Sequence, residues 1–180
     1  MSIALNAANF LLFQIVWFAT VIGAANNLIW PGLAAMTVFI IVHAVLTPNP
    51  GRDYCLCALA IVIGVIVESA NAATGLIDFG DSLIGGVLPP LWILILWCNL
   101  GLILNHSIVW LQQQLLLAAL LGALGGAMSY AGGVALGAAE FGRPAPAAIG
   151  AIALTWAIVT PLLMISARRL NRVSRLTPAA

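Results

Sequence analysis

Apolar residues fall along this chain in six blocks, each closed by asparagine, glycine, proline or charge. A helix needs about 20 apolar residues to cross a hydrocarbon core of about 30 Å. On that scale the first block predicts a span from Ile3 to Ala25, closed by Asn26-Asn27 and the Trp30-Pro31-Gly32 turn. The second runs from Leu33 to Thr47 and stops at Pro48-Asn49-Pro50-Gly51, and the third runs from Tyr54 to Gly75. A turn-prone loop follows, with Asp78-Phe79-Gly80-Asp81, Gly85-Gly86 and Pro89-Pro90. The fourth span covers Leu91 to Leu104 and is interrupted by Asn105-His106-Ser107; the fifth covers Leu115 to Gly137. After a loop from Glu140 to Pro146, the sixth covers Ala147 to Ala167 and ends in Arg168-Arg169. The second and fourth are short for full crossings. The pattern predicts an all-α polytopic transmembrane bundle of six spans. Residues 1–167 form one helical domain, and 168–180 a short basic cytoplasmic tail.

Composition removes the alternatives. Of 180 residues, 63% are hydrophobic and 6% charged, with a mean hydropathy of +1.14. Too few charges exist to solvate a soluble domain, to keep a chain disordered or to bind nucleic acid, so the lipid bilayer is the expected partner. Four of the six arginines (Arg168, Arg169, Arg172 and Arg175) follow the last span, which predicts a cytoplasmic C-terminus. Six spans then put the N-terminus inside as well, with Arg52 inside, and Arg143, Asp78, Asp81 and Glu140 outside. The first block has no Lys or Arg before its apolar stretch and carries Asn6, Asn9 and Gln14, so it reads as a retained helix, not a signal peptide. Cys55, Cys57 and Cys98 have neither redox nor zinc spacing and read as small packed residues. The two halves share no matching motif of the kind that paired transporter repeats carry.

Polar residues inside the spans are the candidates for chemistry. Glu68 lies roughly 21 Å from the cytoplasmic edge of the third span. An ionised carboxylate there costs several kcal/mol unless paired, hydrated or protonated. Cys57, Ile61, Gly64, Glu68, Asn71 and Gly75 share one small, polar helical face, with Asp78 beyond its end, so Glu68 should point inward. In the first span Asn6, Asn9, Phe10, Phe13, Gln14, Trp17 and Thr20 fall within an arc of about 140°. Gln14 and Trp17 share the approximate depth of Glu68, and Tyr130 projects from the fifth span about 25 Å from the inner edge. Glu68, Asn71, Gln14 and Tyr130 are therefore the predicted site, with Glu68 a largely protonated, hydrogen-bonded acid near neutral pH. The bland alternative is a carboxyl that glues helices together, and packing glue is also the expected role of Asn6 and Asn9.

His43 falls roughly 8 Å above the inner edge, too far from Glu68 for a direct pair. His106 sits at the inner boundary, where a solvated role is expected. No HxxH, HxxxH or ExxH spacing appears, so no metal ligand is assigned, and no cofactor is indicated. In the fifth span Gly122, Gly126, Ser129, Gly133 and Gly137 make a ridge of small residues that admits a close neighbour, either within the bundle or on a partner membrane protein. Trp30 and Trp92 suit the outer aromatic belt and Trp110 the inner one, while Trp17 and Trp156 look central.

These residues carry a resemblance. Asn9-Phe10…Phe13-Gln14…Trp17, Glu68, Asp78, Pro90-x-Trp92, His106-Ser107-x-x-Trp110 and Gly125-Gly126…Ser129-Tyr130-x-Gly132 together resemble domain-of-unknown-function family 2878, small bacterial multi-pass membrane proteins. The resemblance implies the bacterial inner membrane and no established activity or catalytic residues. Three functions remain open on the residues alone: a lipid-phase enzyme or its accessory built around Glu68, a small proton-coupled transporter, and a structural or assembly subunit.

Overall fold

A computed structural model describes residues 3–80 and 88–176. Asp81, Gly85-Gly86 and residues 177–180 of the basic tail lie outside the described residues, as does the side chain of Arg175. Six helices carry the chain: α1 (Ile3–Ala25), α2 (Trp30–Leu46), α3 (Pro50–Ala73), α4 (Leu91–Gly101), α5 (Leu115–Ala135) and α6 (Ala145–Leu176). Proline sits in the first turn of α2 and of α3, where its missing N–H would have no helical partner anyway. At the far end of α3, Gly75 takes a φ of +63°, so that its own N–H reaches Ala72 O and the Leu76 N–H reaches Asn71 O. Gly137 closes α5 in the same way, with φ +85° and bonds to Val134 O and Gly133 O. These left-handed caps satisfy carbonyls that the helix ends would otherwise expose.

The all-α bundle agrees with the sequence reading, but four helices rather than six are long and apolar enough to cross a membrane: α1, α3, α5 and α6. The other two are shorter. α2 has 17 residues, or about 25 Å, and α4 has 11, or about 16 Å. α4 meets α3 at its last residue, where a Cβ on Gly101 would stand 2.6 Å from Cys57 Cα. The chain then turns tightly through 102–108 and a 3₁₀ turn at Val109–Gln113. Leu102, Ile103 and Leu104 are almost fully buried in this non-helical stretch. Side chains meet two of its carbonyls, with Asn9 Nδ2 donating to Leu102 O and Gln112 Nε2 to Leu104 O. Irregular backbone deep in a bundle needs such partners. α6 continues past Arg168-Arg169 to Leu176 instead of ending at Ala167.

Neighbouring helices pair as α1 with α2, α3 with α4, and α5 with α6, and α4 also packs on α1 and α2. Two-residue strands β1 (Ile77–Asp78) and β2 (Glu140–Phe141) pair antiparallel, with Ile77 opposite Phe141 and Asp78 opposite Glu140. They tie the α3–α4 link to the α5–α6 link at one end of the bundle. At the other end Ser107 Oγ donates to Asn6 O and Asn171 Nδ2 to Asn105 Oδ1, so the start of α1 and the end of α6 lie together. The surface inverts the usual order of a soluble domain. Ile66, Leu116, Met128 and Leu154 are each at least 66% exposed, while Asp53, Glu68 and Asn99 are at most 3% exposed. An apolar exterior over a polar interior suits a lipid surrounding. The chain is a membrane-embedded helical protein.

Candidate functional site

Two polar clusters are buried in the bundle, one toward each end. The first forms around Glu68, which has no exposed surface. Asn71, one turn further along α3, donates from Nδ2 to Glu68 Oε2 at 2.9 Å. Trp97 of α4 donates from Nε1 to Oε1 at 2.8 Å, and the Tyr130 hydroxyl of α5 donates to the same oxygen. Three helices thus meet at one carboxyl. Gly64, one turn before Glu68, makes this possible: a Cβ there would run into the Trp97 indole, so its absence lets Trp97 lie flat against α3. On its other face Trp97 stacks on Trp156 of α6, with ring centres 5.0 Å apart and planes 18° apart.

Tyr130 also belongs to a crevice between helices, near the end that carries β1 and β2. Trp17 and Val21 of α1, Trp92 and Leu96 of α4, and Tyr130 and Val134 of α5 line it. The crevice is narrow and open to the surface, with a cavity volume of about 30 Å³. Its walls are almost wholly apolar. Of its polar groups, Trp17 Nε1 is taken by Ser129 Oγ at 2.8 Å, and the Tyr130 hydroxyl is committed to Glu68. Gln14, expected beside Glu68, makes no hydrogen bond among the described residues, so the predicted four residues reduce to Glu68, Asn71 and Tyr130 joined by Trp97.

The second cluster centres on Asp53, which stands in the first turn of α3 and is 3% exposed. His43 of α2 and His106 of the turn segment both point Nε2 at Asp53 Oδ2, at 2.9 and 2.8 Å. Asn105 Nδ2 donates to the other oxygen, Oδ1, at 2.7 Å. Asn105 is itself fixed, because its Oδ1 accepts from Gln112 Nε2 and Asn171 Nδ2. The positive end of the α3 dipole further favours a carboxylate in this first turn. His106 is therefore not a solvated boundary residue: it is 6% exposed and bonded to a buried acid. The separation of His43 from Glu68 agrees with the depth argument, since His43 is engaged by Asp53. Asn9 joins the neighbouring network, accepting from the Ser107 hydroxyl as well as donating to Leu102 O. Asp78 lies apart, exposed in β1, where it caps Gly80 N at 2.8 Å.

Asp53, Asn105 and Trp97 have no part in the sequence-based site. An acid in the first turn after Pro50 reads as ordinary helix-end charge, and only the chain's turn at 102–108 brings His106 to it. The visible clue is economy: in a chain with five acidic residues, an Asp within a few residues of apolar sequence needs a partner.

No curated protein and no solved structure matches the chain. A family profile described as a protein of unknown function, DUF2878, matches residues 6–162, from near the start of α1 into the middle of α6, and takes in Glu68, Asn71, Trp97 and Tyr130 as well as His43, Asp53, Asn105 and His106. The chain belongs to the DUF2878 family.

Proposed function

We propose that the protein is a lipid-phase enzyme in which the Tyr130–Glu68 pair moves a proton on an apolar molecule drawn sideways from the bilayer. One observation carries the reading: Tyr130 both lines the apolar crevice and donates its hydroxyl to the fully buried Glu68. A molecule that enters between α1, α4 and α5 meets the Tyr130 ring, and its hydroxyl is the first titratable group at hand. Tyr130 takes a proton from the bound molecule as its own hydroxyl proton passes to the Glu68 carboxylate, which Trp97 and Asn71 hold in place. General acid–base chemistry needs a titratable group beside the reacting atom, and Tyr130 is the crevice-lining residue that carries one. The narrow, apolar walls favour a long unbranched chain over a polar metabolite. The reading takes the arginine-rich end, with both chain termini, as cytoplasmic in a bacterial inner membrane.

The test is the lipid profile of a strain lacking the gene, complemented with the wild-type protein or with Glu68→Gln. At least one lipid or isoprenoid species is expected to change on deletion, to return with the wild type and to stay changed with the variant. If the variant restores the wild-type profile, Glu68 serves only to join α3, α4 and α5.

A further inference from the structure

We propose that His43, Asp53 and His106 bind a divalent transition-metal ion, Zn²⁺ or Fe²⁺, at the end of the bundle opposite the β1–β2 pair. This proposal stands independently of the Glu68 reading. The three residues come from three separate elements, α2, the first turn of α3 and the turn segment after α4, and all are buried. Their ligand atoms lie within 4.8 Å of one another. Both imidazoles present the same nitrogen, Nε2, to the same carboxylate oxygen, at 2.9 and 2.8 Å. The rings stand perpendicular, with centres 4.8 Å apart, so the two Nε2 atoms approach Asp53 Oδ2 from different directions.

Two histidines and one carboxylate meeting on one side of a point form a donor set for Zn²⁺ or non-haem Fe²⁺, with coordination positions left for water or substrate. Metal–ligand bonds of about 2.0–2.2 Å put neighbouring ligand atoms about 3.3 Å apart, so each Nε2 withdraws from Asp53 Oδ2 by about half an ångström while the two nitrogens, already within 4.8 Å of each other, close on the same ion. Binding requires each ring to offer its Nε2 lone pair, so the ring proton resides on Nδ1 or leaves to solvent, and Asp53 is the anion. The surroundings supply the outer layer that such sites use. Asn105 orients Asp53 through Oδ1 and is itself held by Gln112 and by Asn171 of α6. Nothing in the spacing of these residues along the chain announces the site, because the ligands converge only through the short α4 and the turn at 102–108.

Cobalt titration of the full chain tests the proposal. The protein is purified in detergent through a tag without histidine, stripped with a chelator and titrated with Co²⁺ while its visible d–d bands are followed. One Co²⁺ per chain is expected, displaced by Zn²⁺. Affinity should fall at least tenfold in Asp53→Asn and His106→Ala, and about tenfold in Asn105→Ala. X-ray absorption at the zinc edge on the wild-type chain should show two imidazoles, with oxygen in the remaining positions; it needs no variant that folds. Metal content of protein isolated without chelator decides between zinc and iron. Absence of a cobalt band, a band indifferent to Asp53→Asn and His106→Ala in folded protein, or sulfur from Cys55, Cys57 or Cys98 in the absorption spectrum overturns it.

Discussion

Glu68 has no exposed surface and is surrounded by donors, and the roles of its two oxygens differ. Oε1 accepts from Trp97 and Tyr130, while Oε2 faces the Asn71 amide. Glutamine reproduces this pattern: its carbonyl keeps the two Oε1 bonds, and its NH₂ donates to Asn71 once that amide turns over. Leucine removes the acceptor and leaves the Trp97 and Tyr130 donors unsatisfied, at a cost of about 1–3 kcal/mol each. Glu68→Gln should therefore melt in detergent within a few degrees of the wild type, and Glu68→Leu well below it. A Glu68→Gln melting point as low as that of Glu68→Leu would mean the carboxylate charge itself holds the site. At this scale the sequence was informative where neighbours were local. Asn71 follows Glu68 by one turn of the same helix, and depth alone brought Tyr130 near. It was silent on Trp97, because the contact depends on the missing side chain of Gly64 on a different helix.

At the scale of elements, the fifth helix shows which glycines carry packing. A Cβ on Gly122 or Gly126 would strike Thr160 or Trp156 of α6, whereas one on Gly125 or Gly133 meets nothing within 4 Å. The small-residue ridge is one stripe in the sequence, but only part of it faces the neighbouring helix. Gly126→Leu should lower the melting temperature measured in detergent, with overpacking costing about 1–3 kcal/mol. Gly133→Leu should lower it less, since its Cβ meets nothing within 4 Å and Gly133 lines the crevice beside Val134. Equal destabilisation by both would contradict the helix pairing described. The helices themselves were legible from apolar runs and their stop signals, with α1 placed from Ile3 to Ala25 in both readings. The early stop of α4 was not: Leu102, Ile103 and Leu104 continue the apolar run, and nothing in that run marks the turn that begins there.

For the whole molecule, the pairing of β1 with β2 and the meeting of Asn6 with Ser107 and Asn171 with Asn105 fix what lies at each end. The arginine rule then assigns the ends to membrane sides. A reporter fused after residue 180 should read cytoplasmic, and one inserted after Gly80 should read external; the opposite result would invert the orientation. The central claim is that an apolar chain from the bilayer reaches Tyr130 through the crevice between α1, α4 and α5. Photo-crosslinking in vesicles made with a diazirine-bearing acyl phospholipid, followed by peptide mass spectrometry, tests it most directly. Adducts are expected at Val134, Leu96 and Tyr130 in the wild type, and Gly133→Leu should abolish them while leaving those at the outward-facing Leu154 and Met128 unchanged. Labelling confined to the outward-facing positions, with none at Val134, Leu96 or Tyr130, would contradict the claim.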